Sequence, residues 1–532
     1  MKNFKNAVAV ILASVMLISG IPFAFAASST PSDVSTPSDV TTPSDAPDTD
    51  VPAVGGYTIT NPYDNINWAT VNQYKAALHT HTNASDGDDT LTASLERHYL
   101  TGYDIVSITD HGVSDMSWTD STLGSKFITK VMTLFGKSDG NLDYLEQSGA
   151  FASGVKYEMK NNGTDDYLVT EDGHEILRIP YGVENNAVSI NAHVNSWFGE
   201  FNCNFPSDYR NAITGADKAG ALSVINHPGE YTQARYELYQ EDAYNMDNWS
   251  YNYYINKFYG YINNYESCIG IDINSKGDGR TRYERKLWDI MLAKAAESGK
   301  TVTAIATSDA HQLDKIDTGS LIVLAEAKTS ANVKKALLNG EVLPQSTCIH
   351  NRDELAQIAE GLKKFYGETE LYKTISALVA QYDAECEEIA NSSDDGNVGV
   401  SYTSLDDEGF VATATRPEVK SITVNEAEDT ITIDSENALL IRWISDGKLI
   451  ATTKADDTAF DLNDYESVIK GYVRAEIFGE GGVIYTEGFT LNADKATDSG
   501  DEFILDFGFF DFLFALVDRY GGLIGRIVLN LF

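Results

Sequence analysis

Five short apolar runs in this chain each end in histidine or acid, and no other feature restricts its fold so strongly. His79-Thr80-His81 closes one run and leads into Ser85-Asp86-Gly87. Thr109-Asp110-His111 closes Asp104–Ile108, and Glu184 ends Ile179–Val183, with His193 nine residues later. His227 follows Ala221–Asn226, and Asp309-Ala310-His311 follows Val302–Ala306. Apolar runs bounded in this way read as strands buried on both faces, as in a parallel sheet covered by helices. A closed β/α sheet gathers its reactive groups at the C-terminal strand ends, where these residues fall. Imidazole and carboxylate together are the donors of Zn, Mn or Fe sites, and an alternating H-x-H directs both rings to one place. A multinuclear metal site is therefore the leading expectation.

The strand candidates are Lys75–Leu78, Ile105–Ile108, Ile176–Val183, Val188–Ala192, Leu222–Ile225, Ile269–Ile273 and Val302–Ala306. Helical patterns at Leu91–Leu100, Asp208–Ala219 and Arg282–Ser298 lie between them. Seven such strands predict an α/β fold of closed-barrel type over residues 56–345. Residues 346–400 read as two amphipathic helices within Asp353–Ile389, broken near Gly367, and a polar linker. Over 401–495 the period changes to two, in Ile422–Val424, Thr430–Ile433, Leu440–Ile444, Tyr472–Ile477 and Val483–Tyr485. That pattern predicts a small antiparallel sandwich of immunoglobulin-like type.

The ends of the chain are distinct. Residues 1–26 carry Lys2 and Lys5, an apolar run and Ala24-Phe25-Ala26, the layout of a cleaved secretory signal. Residues 27–55 repeat Thr-Pro-Ser-Asp and predict an extended spacer. The tail, residues 496–532, is apolar with a polar stripe that includes Asp511, Asp518, Arg519 and Arg526. It is expected to form an amphipathic helix from Phe503, lying on a membrane or cell wall, or packed on the chain's own domains. A secreted or cell-surface bacterial protein is the expected setting. A net charge of −40 argues against a nucleic-acid polymer as partner. The four cysteines leave disulfide pairing open, with Cys268 reading as a buried thiol.

The ordered set H-x-H…S-D-G, T-D-H, Glu…His, N-H-P and S-D-A-H is similar to the PHP family of metallohydrolases, the polymerase and histidinol phosphatase family. The resemblance covers Tyr57–Leu343 and implies a distorted seven-stranded β/α barrel holding two or three divalent ions. Carried over, His79, His81, Glu184 and Asp309 hold one ion; Glu184, His193 and His227 hold a second, with Glu184 bridging; Asp86, His111 and His311 hold a third. Many relatives have histidine where Asp86 stands, which makes the third site the weaker one. Lys276 and Arg280 sit where relatives place substrate contacts, although Arg280 reads equally as a surface salt bridge. Asp110 is expected to orient a neighbouring ligand or to give a proton to the leaving group. His98 and His174 read as surface residues, and His350 as a structural one.

The expected activity is hydrolysis of a small phosphate ester by an exported enzyme, with Asp110 and Glu184 in the catalytic machinery. A carbamate, ester or amide is the alternative substrate class. A non-catalytic surface binding protein is the alternative of a different kind.

Overall fold

The buried residues Ala76, Ala77, Leu78, Ile105, Val106 and Ile108 set two neighbouring strands into the core. The structure, a computed structural model, describes residues 56–114, 117–120, 130, 133–134, 142–185, 192–202, 208–274, 277, 279–391, 409–457, 459–492, 500–508 and 511. Strand β1 (Asn72–Ala77) runs parallel to β2 (Ile105–Val106), which runs parallel to β3 (Glu175–Arg178). Beyond Pro180 and Tyr181 the chain re-enters a strand as β4 (Val183–Glu184), where Glu184 N–H donates to Thr109 O at 2.9 Å. β5 (Val194–Trp197) lies antiparallel between β4 and β6 (Leu222–Ile225). β7 (Cys268–Asp272) and β8 (Thr303–Ile305) follow in parallel. Past β8, Ala310 bridges in parallel to Thr80, just past β1.

β1–β3 and β4–β8 thus belong to two sheets, and the second is mixed, not uniformly parallel, because β5 runs antiparallel to both β4 and β6. The expected Ile176–Val183 strand is interrupted: Pro180 cannot donate to a ladder, and Tyr181 has φ 59°. Of the expected Val188–Ala192 strand, residues 188–191 lie outside the described residues. The helices cover the strands. α1 (Leu91–Leu100) starts at Thr90, whose side chain accepts from Ala93 N–H. α2 (Tyr209–Lys218) is capped in the same way by Asp208. α3 (Pro228–Thr232) is one turn long and follows His227. α4 (Trp249–Asn264) and α5 (Glu284–Glu297) bury Tyr254, Phe258, Leu287, Trp288 and Met291 with Ile225, Ile271 and Ala304. Cys268 is a buried thiol in β7.

On its other edge β1 pairs antiparallel with β9 (Gly319–Ala325), and β9 with β10 (Val342–Ser346); α6 (Ser330–Asn339) connects the two. α7 (Arg352–Tyr366) and α8 (Glu370–Asn391) form the helical pair that Gly367 separates. In the C-terminal region β11 (Glu418–Asn425), β12 (Thr430–Glu436) and β15 (Phe460–Asp461) make one antiparallel sheet. β13 (Leu440–Ser445), β14 (Lys448–Lys454), β16 (Tyr472–Gly479), β17 (Gly482–Tyr485) and β18 (Phe489–Leu491) belong to another. Both contribute to one apolar cluster, in which Trp443 stacks on Phe460 with ring centroids 4.2 Å apart. β17 also pairs with β10, so this second sheet runs on into β9 and β1. The boundary expected after residue 345 therefore falls inside a strand shared by both regions.

Buried ion pairs join the same regions. Arg474 grips Asp289 of α5 through Nε at 2.6 Å and Nη2 at 2.7 Å, and its Nη1 meets Glu476 at 2.6 Å. Arg442 also donates to Glu476. The described part of the tail is not helical at Phe503 as expected. It lies along α4: Glu502 N–H donates to Asn264 at 2.7 Å, Tyr261 hydroxyl donates to Asp506, and the Lys257 ammonium meets Asp511. Among the described residues no helix is long and apolar enough to cross a membrane.

Two stability measurements check this packing. Lys257 and Asp511 are both buried, and Lys257 is ringed by Tyr209, Tyr253 and Tyr254. Asp511→Ala leaves an uncompensated buried charge and should cost about 3–5 kcal/mol in denaturant unfolding; a variant as stable as wild type would show that the pair contributes nothing. Burial pushes the Glu476 carboxyl up, but Arg442 and Arg474 outweigh it and hold the group at about 2 instead of 4.5. Its folded-state value is depressed, so its contribution is present above pH 4.5 and is lost as pH falls towards 2. Wild type should therefore lose on the order of 3 kcal/mol more than Glu476→Gln across that window. Parallel acid melts of the two proteins would reveal the difference.

Candidate metal centre

Glu184 is the hub of the site. Its Oε2 lies 3.3 Å from His79 Nε2, 3.2 Å from His81 Nε2 and 3.3 Å from His111 Nδ1. Its Oε1 lies 2.8 Å from His193 Nδ1 and 3.2 Å from His227 Nε2. Asn226 Nδ2 donates to the same Oε1 at 2.9 Å. Strand geometry explains this convergence. His79 and His81 follow β1, His111 follows β2, Glu184 closes β4, His193 precedes β5, His227 follows β6, and Asp309 and His311 follow β8.

Some of these positions are held in unusual backbone conformations. His227 has φ 25° and Asp309 φ 43°, in the region that side chains with a Cβ rarely occupy. Such strain persists only where the surroundings enforce it, and it concentrates at functional sites. Gly87 serves the site sterically, because a Cβ there would lie 2.7 Å from the His81 carbonyl carbon.

Three groups of donors could each hold a cation: His79, His81, Glu184 and Asp309; His81, Asp86 and His311; and His111, Glu184 and His193. In the first, the His79 and His81 Nε2 atoms are 3.1 Å apart, and each lies 3.1 Å from Asp309 Oδ1. With the distances to Glu184, five of the six edges of a tetrahedron are 3.1–3.3 Å. A regular tetrahedron of that edge has its centre about 2 Å from each corner, the length of a Zn–N or Zn–O bond. The donor set fits a divalent ion in size and chemistry.

The grouping differs in part from the one the resemblance implies. His227 Nε2 stands 3.6 Å from Asp309 Oδ2 as well as beside Glu184. His111 faces Glu184 with Nδ1 and Asp86, at 3.5 Å, with Nε2. Asp86 is shared by His81 Nδ1 at 3.4 Å, by His111, and by His311 Nε2 at 3.5 Å. His81 thus belongs to the first and second groups, Glu184 to the first and third, and His111 stands between Asp86 and Glu184.

The electrostatics demand positive charge. Burial pushes the Glu184 carboxyl up, yet His193, His79 and His111 together hold it well below the usual carboxylate range. Burial pulls His79 down, while His81, also opposed by burial, is raised well above the ordinary imidazole value by its bonds to Asp309 and Glu184. Burial lowers His193 to about 4 despite Glu184. Two imidazoles in such contact hold one proton between them, and a divalent cation meets the same demand more fully.

Asp110 does not reach the cluster. It accepts from Thr82 N–H at 2.8 Å, Thr82 Oγ1 at 2.6 Å and Ser85 Oγ at 2.5 Å. Ser85 Oγ in turn lies 3.3 Å from His81 Nδ1. The expectation of a proton donor gives way to a brace on the His81 loop, because its oxygens are already engaged. Arg280 lies 3.4 Å from Glu230, which also takes Arg235 at 3.1 Å. Lys276 lies outside the described residues. His98, expected at the surface, is instead buried, because α1 turns it inward against the Tyr103 ring, with Nδ1 on Ser94 O; His350 faces Gly277 O as a structural residue. Sequence reading missed Asn226, Glu230, Tyr231 and Asp272. Burial raises Asp272 to about 7, although Thr307 and Asn274 bond to it. A separate cleft of 480 Å³ is walled by Arg285, Asp289, Glu354, Arg442, Arg474 and Glu476, acids already paired with arginines.

No protein-family model matches the chain, and no curated protein is similar to it. Among solved structures it is similar to a two-domain protein containing a predicted PHP-like metal-dependent phosphoesterase from Bacteroides vulgatus. That likeness is 14% identical over 82% of this chain and 94% of the other, with a TM-score of 0.31. It is also similar to a lesion-specific endonuclease from Pyrococcus furiosus, at 13% identity over 50% of this chain and 56% of the other, with a TM-score of 0.26.

Glu184→Gln should remove the negative charge on which five imidazoles converge while preserving the side chain's shape. Metal analysis after dialysis against Mn or Zn should show the loss of more than one ion per chain. Retention of the full wild-type complement would contradict the shared role of Glu184.

Proposed function

We propose that this chain is an exported metal-dependent hydrolase of the PHP family that acts on a small phosphate ester. The observation that carries the reading is the convergence of five imidazoles on the two oxygens of Glu184. We assign residues 56–345 to the family's distorted seven-stranded barrel. The pairings within β1–β3 and within β4–β8, with the Thr80–Ala310 bridge between the two sheets, support that assignment. The apolar cluster shared by Val419, Ile431, Trp443 and Phe460 supports an immunoglobulin-like sandwich over 401–495. Residues 1–26 are proposed as the export signal, 27–55 as a spacer and 512–532 as a surface-associated segment.

Two or three bound divalent ions of Zn, Mn or Fe type would supply a hydroxide nucleophile near neutral pH and neutralise charge on the phosphoryl oxygens. His79, His81 and Asp309, with Glu184, would hold one ion. His193 and His227 would act with Glu184 on its Oε1 side, and Asp86, His111 and His311 would form the outermost site. Ser85, braced by Asp110, fixes the His81 ring through Nδ1. Arg280, held at the rim by Glu230, is the group assigned to an anionic substrate.

A carbamate, ester or amide is the competing substrate class. One observation favours it: Arg235 and Arg280 both engage Glu230, which offsets the positive charge an anionic substrate would meet. A panel of phosphomonoesters, phosphodiesters and aryl carbamates, assayed with Mn- and Zn-loaded protein, decides between them. The phosphate-ester reading predicts at least about tenfold higher kcat/KM on a phosphoester, a difference of roughly 1.4 kcal/mol. The reverse order would replace that substrate class, and no turnover of either would favour a binding protein.

A further inference from the structure

The segment Asn226–Tyr231 supplies a candidate ligand, His227, and also backs two of the imidazoles that face Glu184 Oε1. Tyr231 Oη lies 2.5 Å from His193 Nε2, and its ring stacks on His193 with centroids 4.5 Å apart. Glu230 Oε2 lies 3.4 Å from His227 Nδ1. Each ring thus has one nitrogen towards Glu184 and the other towards a residue of α3. The two backing groups differ in chemistry: a carboxylate only accepts, whereas a phenol both donates and accepts.

We infer that Tyr231 is a positioning residue whose hydroxyl lets His193 exchange tautomers when an ion binds. This rests on the metal-centre reading above. Beside the bare Glu184 carboxylate, His193 donates from Nδ1, and its unprotonated Nε2 accepts from the Tyr231 hydroxyl. An ion requires a bare Nδ1. One proton then leaves Nδ1 for solvent and another arrives on Nε2, so the ring stays neutral. The Nε2–H now donates to Tyr231 Oη, which changes from donor to acceptor without moving. His193 keeps a partner in both states, and no buried N–H is orphaned. His227 turns Nε2 towards Glu184 and Asp309, and its Nδ1 lies 3.4 Å from Glu230 Oε2 without a hydrogen bond. A partner on the outer nitrogen of a metal-binding histidine commonly changes affinity by about 10- to 100-fold.

The test uses the full chain stripped with a chelator. Wild type and Tyr231→Phe, which keeps the stacked ring and removes only the hydroxyl, are titrated with Mn2+ by calorimetry. The expected result is that one class of Mn2+ sites weakens by about 10- to 100-fold in the variant while another is unchanged. In parallel, 15N spectra of wild-type His193 should show the proton on Nδ1 without Zn2+ and on Nε2 with it. Unchanged Mn2+ binding by Tyr231→Phe, or a His193 tautomer insensitive to Zn2+, overturns the inference. The second measurement needs no variant, so it decides the matter even if Tyr231→Phe does not fold. Wild type that binds neither Mn2+ nor Zn2+ would overturn the metal-centre reading and this inference together. Wild type that binds ions, beside a variant that binds them equally, overturns this inference alone.

Discussion

A buried carboxylate surrounded by five imidazoles is the constraint on which the rest of the molecule depends. Out of water, an ionised Glu184 is tolerable only if positive charge stands beside it, and an array of neutral rings does not provide it. The cluster resolves this by drawing in a proton, raised onto His81, or a metal cation that replaces it. Everything nearby serves to keep the donors together. The strained backbone at His227 and Asp309, the close approach of Gly87 and the brace from Asp110 through Ser85 all act on ligand positions.

The scaffold supplies the rigidity that such an arrangement needs. Donors gathered from separate strand ends stay within a few ångströms only if the strands cannot shift, and two sheets tied together by the Thr80–Ala310 bridge and by Glu184 N–H on Thr109 O provide this. Pairing of β17 with β10 extends the same backbone network into the C-terminal region. Arg474 reaches Asp289 on the helix that packs behind β7 and β8, so the C-terminal sheet buttresses the layer that carries Asp309. A positioned site on rigid elements holds its geometry better than one built on loops.

Much of this was legible in the sequence, for identifiable reasons. Ligating residues at the ends of apolar runs mark strand termini, and the structure brings His79, His81, Asp86, His111, Glu184, His193, His227, Asp309 and His311 together. Helices with capping residues and a clear period were readable: Leu91–Leu100 begins after Thr90, and Tyr209–Lys218 after Asp208. α4 escaped because nine of its residues are tyrosine or asparagine, on both its buried and its exposed faces, which blurs the apolar period. The direction of β5 depends on a connection that no local pattern encodes. Asp110 was read as orienting a neighbouring ligand or giving a proton; its contacts with Thr82 and Ser85 put it to the first use, beside His81. Glu230 and Tyr231 were overlooked although they lie within four residues of His227. A donor that backs a ligand carries no spacing signature, only proximity in the fold. In the tail, residues 502–507 are not helical and pack on α4, in line with the expected alternative of packing on the chain's own domains, while most of the expected helix lies outside the described residues.

The central claim is that the convergence on Glu184 exists to hold divalent ions. Elemental analysis of the purified full chain, paired with anomalous scattering from its crystals, measures this directly. The account predicts at least two ions per chain, each within bonding distance of Glu184 or of the histidines and acids around it. A folded protein with no stoichiometric ion, and with the same donors still gathered around a protonated His81, would contradict it.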